Sequence, residues 1–428
     1  MHTLAKTPLT WLASLKISHL KTIARATGTL NAGRKDVLCE RIGSEIEKSV
    51  FLCSPNTSSS KKHETTTTTG EMMSILSIDM GIQNLAFAHL LVRPAGKEKM
   101  EVVLDAWHRI GVQELSLTNN NNNNNNNIGD EGLPPSAFRT LTRKAAAQRK
   151  KTTQEESQNE SRDERNTETQ NETQVESQNE TENAETSFSP DILANNAYTL
   201  LSRLIAQYNP THILIERQRF RSGGQTAVLE WSLRVGMFEG MLHAVLCTMR
   251  RLGHCAARVW DVSPARVAQY WEATSSSSSG SDMGPEKQTT TATANKSEKN
   301  QRNIKKMKIN IIGQWLSHAS SSSSSASPLA EEEAGPAKII LPSENGSDVH
   351  DTVTAYLERW SGKRSSATQW RIEKLDDLAD CLLQGMTWLE WQVRRAHLAR
   401  DGLEELARMG VSVKAQEEKK KSTSKKKR

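Results

Sequence analysis

Ser74-Ile75-Leu76-Ser77-Ile78-Asp79-Met80-Gly81-Ile82-Gln83-Asn84-Leu85-Ala86-Phe87-Ala88 reads as a strand, a tight turn and a second strand. Ile75, Leu76 and Ile78, then Leu85 to Ala88, are apolar enough to be buried on both faces of a sheet. Gly81 permits the turn, and Asn84 can satisfy backbone groups at its end. Asp79 is the anomaly: a charge in a buried strand is costly unless it is paired or holds a cation.

Two further segments supply acids. The apolar run His212-Ile213-Leu214-Ile215 ends in Glu216. Lys374-Leu375-Asp376-Asp377-Leu378-Ala379-Asp380-Cys381-Leu382-Leu383 opens a helix running to about Arg394, with Leu375, Leu378, Leu382, Leu383 and Met386 as its apolar stripe. At about 100° per residue, Asp380 lies angularly between its neighbours, about 40° from Asp376 and about 60° from Asp377. All three can reach one site. A solvated acidic face is the bland reading of the helix taken alone.

The remaining core elements follow from periodicity. Met100 to Arg109 fits a third strand of a meander, and Ala257 to Trp260 a further strand. Phe188 to Gln207 predicts a helix, Gln225 to Leu252 a long one apolar around most of its circumference, and Pro264 to Trp271 and Ile304 to Leu316 shorter ones. Between them lie segments of asparagine, serine, threonine and glutamate, at about 117–128, 152–187, 274–300 and 318–336. These cannot bury enough apolar surface to offset ordering entropy, so disordered insertions are expected.

The net charge is +6 and the pI about 9.0, which suits an anionic partner. Residues 139–151 hold six basic residues and no acid, and 414–428 reads as a basic disordered tail. The five cysteines lack paired metal-ligand spacing, and no apolar run reaches membrane-spanning length, so no membrane partner is expected.

At the N-terminus no acid precedes Asp36. That suits a mitochondrial transit peptide and equally a small folded DNA-binding module. Residues 9–46 read as two helices around a turn. Leu15-Lys16-Ile17-Ser18-His19-Leu20-Lys21, Gly28-Thr29-Leu30 and Gly33-Arg34-Lys35-Asp36-Val37-Leu38 resemble a SAP motif. SAP-like modules bind DNA mostly through its backbone. Here the turn and the start of the second helix would offer amides, Arg34 and Lys35 to phosphates.

An Asp-x-Gly-x-x-Asn strand turn, a strand-end Glu and Asp residues on a late helix together resemble the RNase H-like nuclease superfamily, and within it the RuvC-type Holliday junction resolvases. The fungal mitochondrial branch is most similar. It too places a SAP-like N-terminus before an Ile-Asp-x-Gly-x-x-Asn-Leu-Ala strand, an Ile-Glu-x-Gln segment and a Lys-x-Asp-Asp-Leu-Ala-Asp helix. These appear here at Ile78 to Ala86, Ile215 to Gln218 and Lys374 to Asp380. The resemblance implies an α/β fold, an RNase H-like mixed sheet flanked by helices, over 72–395. It implies two Mg²⁺ ions, with Mn²⁺ an accepted substitute, on Asp79, Glu216 and the helix acids, cutting a phosphodiester to 5′-phosphate and 3′-hydroxyl ends. Asp377 with Asp380 matches the bacterial spacing, and Asp376 with Asp380 is equally open by geometry.

A symmetric homodimer on a four-way DNA junction is expected, with 225–252 as candidate interface. Arg143, Lys144, Arg149, Arg217, Arg219, Arg221, Lys305, Lys306 and Lys308 are candidate phosphate contacts. The expected location is mitochondrial, with nuclear as the alternative. Another RNase H-fold nuclease and a non-catalytic SAP-type DNA-binding protein are the competing functions. An actin-like ATPase would need a second Gly-rich phosphate loop with an acid, which Ser222-Gly223-Gly224 does not provide.

Overall fold

A computed structural model of the chain describes residues 9–52, 72–82, 85–94, 100–112, 188–218, 230–278, 293–321, 337–342, 348–362, 372 and 374–411. They divide into two compact units.

The larger unit is built on a six-stranded mixed sheet. Its strands are β1 (Met73–Asp79), β2 (Leu85–Pro94), β3 (Met100–Ile110), β4 (His212–Glu216), β5 (Arg258–Val262) and β6 (Ala337–Ile340), in the order β5-β4-β1-β2-β3-β6. The three-strand meander β1-β2-β3 is antiparallel. β4 runs parallel to β1, β5 parallel to β4, and β6 parallel to β3.

Alternation along β1 divides its side chains between two helical layers. Leu76 and Ile78 join Phe87, Ile213 and Ile215 in a core closed by α3 (Pro190–Tyr208) and α4 (Glu230–Arg251), through Leu200, Leu204, Phe238 and Leu242. Ser77 points to the other face. There its hydroxyl donates to the Cys381 carbonyl at 2.7 Å, in a helix beginning at Asp376. β3 meets the same layer, with the Trp107 ring 5.0 Å from that of Tyr356.

The second unit is helical. It contains a 3-10 turn (Leu9–Ser14), α1 (Ile17–Ala26), α2 (Lys35–Glu47), the part of α5 (Pro264–Ser278) from Ala265, the part of α8 (Asp376–Asp401) from Met386, and α9 (Leu403–Arg408). It is larger than the 9–46 module expected from sequence. Leu12, Leu20, Ile23, Leu38 and Ile42 bury themselves against Leu398 and Leu406, because so short a segment cannot close a core alone.

The first part of the turn between α1 and α2 is interior, while Leu30 and Ala32 to Arg34 are exposed. Thr27, Gly28 and Thr29 are buried. Arg395 donates to the Thr27 carbonyl at 2.7 and 2.9 Å, and Arg266 to that of Gly28 at 2.8 Å. Gly28 has φ 65°, and a Cβ there would lie 2.2 Å from the Trp391 ring. Only glycine fits both constraints.

Three expected insertion boundaries also move. Residues 274–278 extend α5, and α6 (Thr293–Ser321) includes 293–300 and 318–321. Serine and threonine hydroxyls in these turns bond back to carbonyls four residues earlier, Thr274 to Tyr270, Ser320 to Leu316 and Ser321 to Ser317, which lets a packed helix continue into a polar tract. β6 and α7 (Asp348–Trp360) add to the elements read from sequence. The 117–128 and 152–187 insertions, and the basic tail, lie outside the described residues.

Candidate active site

Strand register brings the first two acids together. Ile78 pairs with Ile215 across the parallel β1–β4 ladder, so Asp79 and Glu216 end adjacent strands at the same edge of the sheet. Their carboxyls are close enough to interact directly.

The first turns of α8 are docked over this edge by their backbone. Beside the Ser77–Cys381 bond, Trp107 Nε1 donates to the Leu378 carbonyl at 3.0 Å, and Gln384 Nε2 donates to Ser77 Oγ and the Ile78 carbonyl, both at 3.1 Å. Gly385 makes the approach possible: a Cβ there would lie 2.8 Å from Leu90 Cδ1 and 3.3 Å from Ser77 Cβ. So placed, α8 delivers Asp380 and Asp377 into the electrostatic neighbourhood of Asp79.

Negative charge accumulates here. Asp79 is 8% exposed, and burial, then Glu216, then Asp380 and Asp377, push its carboxyl well above the usual range. Burial likewise raises Glu216, Asp377 and Asp380. Three cations face the acids of α8. Lys308 Nζ is 3.0 Å from Asp380 Oδ1, Arg109 Nε is 3.0 Å from Asp377 Oδ2, and Lys305 pairs with Asp376. Burial opposes ionisation of Asp376 too, but the Lys305 contacts outweigh it and hold that carboxyl low. Asp376 thus differs from the other acids: its carboxyl alone among them is held below the usual range.

The donor set suits a hard divalent cation. It consists of carboxylates only, Asp79 buried and Glu216, Asp377 and Asp380 half-buried, and beyond their ion pairs with Arg109 and Lys308 the Asp377 Oδ2 and Asp380 Oδ1 atoms have no hydrogen bond of good geometry. Among the described residues no three such side chains yet close on a single point, so loading would require the carboxylates to draw inward.

The other sequence candidates are dispersed. Lys305 and Lys306 are exposed on α6. Arg217 is exposed just past Glu216, its amide held by the Val262 carbonyl at 2.8 Å. Arg34 is exposed and paired with Asp36 at the start of α2, and Lys35 is half-buried. Arg143, Lys144, Arg149, Arg219 and Arg221 lie outside the described residues, as do Gln83 and Asn84 of the β1–β2 turn.

In sequence Lys308 is one basic residue among many, and nothing singles out Arg109. Lys308 did carry a signal. It shares an i, i+4, i+8 stripe with Ile312 and Leu316, both fully buried, and a lysine on a core stripe needs a partner. Arg109 carried none, because only strand register brings it to Asp377.

A model of the family described as mitochondrial resolvase Ydc2 / RNA splicing MRS1 matches residues 75–398. The chain belongs to that family. It is 26% identical over 216 residues to the mitochondrial cruciform cutting endonuclease 1 of Schizosaccharomyces pombe, a match covering 49% of this chain and 62% of the relative. The chain thus spans less than two thirds of that relative's length. The crystal structure of the yeast mitochondrial Holliday junction resolvase Ydc2 aligns with a TM-score of 0.42 at 19% identity, covering 91% of this chain and 98% of that one. Thermus thermophilus RuvC aligns with a TM-score of 0.22 at 12% identity, covering 47% and 69%.

Proposed function

We propose that this member of the mitochondrial resolvase family is a structure-specific endonuclease that resolves four-way DNA junctions by divalent-metal-dependent phosphodiester hydrolysis, as a homodimer, in mitochondria. The observation that carries the reading is the convergence of Asp79, Glu216, Asp377 and Asp380, all buried enough to be pushed toward protonation. A protein that only holds nucleic acid has no use for buried acids beside its anionic ligand. This favours hydrolysis over the splicing role that the family's description also includes.

In this reading Asp79, Glu216, Asp377 and Asp380 hold the metal, Mg²⁺ by preference, with Asp79 central to the set. Asp377, rather than the surface-paired Asp376, partners Asp380. The bound metal supplies charge neutralisation at the phosphate and activation of the attacking water. The chain's own groups do the rest. Arg109 steadies Asp377 from β3, and the Ser77 and Gln384 bonds fix the height of α8 over β1. Lys305, Lys306 and Arg217 are the described cations available to the DNA backbone near this edge, and Arg34 and Lys35 at the start of α2 serve the same purpose in the helical unit. The α4 helix is the proposed dimer face, and its Trp231 and Leu233 are 42% and 50% exposed.

The test is a competition at fixed, stated salt between a labelled four-way junction and linear duplex of the same sequence. Much tighter junction binding and paired nicks on opposing strands are expected. Equal affinity with single unpaired nicks would leave a nuclease without junction specificity.

A further inference from the structure

We infer that Lys308 is a built-in counter-ion of the acid cluster, so that the site takes up its divalent cation by exchange against this ammonium group at Asp380. The inference rests on the reading of the acids as metal ligands, and deepens it.

Residues 308, 312 and 316 form the buried stripe of α6, and Ile312 and Leu316 fill it as expected. The helix lies close to α7 there: a Cβ on Gly313 would be 2.4 Å from the Trp360 ring, and Tyr356 Oη donates to the Ile309 carbonyl at 3.2 Å. Lys308 is 9% exposed in this packing. A lone ammonium would not stay charged there, because desolvation disfavours it. Its Nζ lies 3.0 Å from Asp380 Oδ1 on α8, with Glu216 on β4 and Asp79 on β1 in the same electrostatic neighbourhood.

One ammonium faces three carboxylates, so it lowers the repulsion among them without cancelling it. The unit can therefore fold without metal and still attract one. A divalent cation on Asp380 would meet the Lys308 ammonium at short range, and two cations cannot share that oxygen. The lysine must yield, and part of the metal's binding energy is spent on displacing it.

Lys305 provides an internal contrast. It sits one turn earlier on α6 and pairs with Asp376, but its side chain is 63% exposed. Solvent screens such a pair, so it should compete far less.

The experiment is calorimetric titration of the full-length chain with Mg²⁺ and with Ca²⁺, without DNA, at pH 8. Lys308→Met is expected to tighten metal binding by roughly tenfold or more, the size of an ordinary coupling between sites. Lys308→Arg, which keeps the charge, should stay near wild type, and so should Lys305→Met. Unchanged or weaker binding by Lys308→Met overturns the inference, as does an equal gain from Lys305→Met. Should Lys308→Met be too unstable to titrate, the rise in melting temperature on adding Ca²⁺ is compared instead. A larger rise than in wild type supports exchange, and an equal or smaller one overturns it. Asp79→Asn and Asp380→Asn separate the two levels of the argument. If both bind metal as wild type does, the metal-site reading itself fails. If both lose metal while Lys308→Met gains nothing, only the exchange fails.

Discussion

Buried charge is handled in opposite ways in the two units. In the helical unit Glu405 is almost fully buried and is met by Arg394, by Arg408 at 3.1 Å and by His397 at 3.8 Å. Arg395, equally buried, pairs with Glu45 at 2.9 Å and donates twice to the Thr27 carbonyl. Each charge there has fixed partners. In the sheet unit Asp79, Glu216, Asp377 and Asp380 outnumber the cations Lys308 and Arg109 that meet them, and their protonation is favoured. A charge that holds a fold together is saturated. Perturbed ionisation in an incompletely balanced cluster is what a binding or reacting site is expected to display.

The sharpest way to break this contrast is Asp79→Asn. It should reduce junction cleavage by several orders of magnitude on a denaturing gel while gel-shift affinity for the junction is retained, since affinity rests on basic residues. Near wild-type cutting would return the acids to a structural role.

Glu405→Ala tests the saturated region. It removes a buried carboxylate from its cations, leaves the half-buried Arg394 with Glu390 as neighbour, and should cost about 1–3 kcal/mol in urea unfolding, with no direct effect on the acids of the sheet unit. A loss below about 1 kcal/mol would mean that the network is as dispensable as an exposed ion pair.

Glu390 sharpens the comparison, as a carboxyl of the helical unit that is not fully balanced. Burial pushes it up to about 7, with Arg394 and a hydrogen bond from Tyr270 only partly offsetting this. Its folded pKa is above its unfolded value, so the folded state holds the proton more tightly. Stability is therefore greatest below about 4.5 and falls as pH rises through about 7. Glu390→Gln should remove that slope, gaining roughly 3 kcal/mol on wild type between the two ends of the window, followed by urea unfolding at each pH. A pH-independent difference would show that Glu390 titrates normally.

Much of the sheet unit was legible in the chain. Strands β1 to β5 were placed within a few residues because apolar runs broken by turn residues have few other uses. Residues 337–360 were not read. Ala337–Ile340 is too short to announce a strand without its partner β3, and the stripe Val349, Val353 and Tyr356 of α7 follows a tract whose composition hides it. In the helical unit the two N-terminal helices were legible, but not the partners that complete their core from beyond residue 264.

Local chemistry along the chain determined which residues had to be explained: an aspartate in an apolar strand, a glutamate at a strand end, and aspartates within one helical arc. These are matters of period and composition, which neighbours in sequence settle. That Asp376 pairs with Lys305, that Lys308 enters the cluster from a core stripe, and that Thr27 to Thr29 after α1 are buried were decided only by tertiary packing. Each depends on groups tens to hundreds of residues apart, brought together by strand register and by the seating of one helix on glycine. Charge balance at a buried site is a property of that assembly, because the cost of a carboxylate depends on every partner within a few ångströms and not on the segment that carries it.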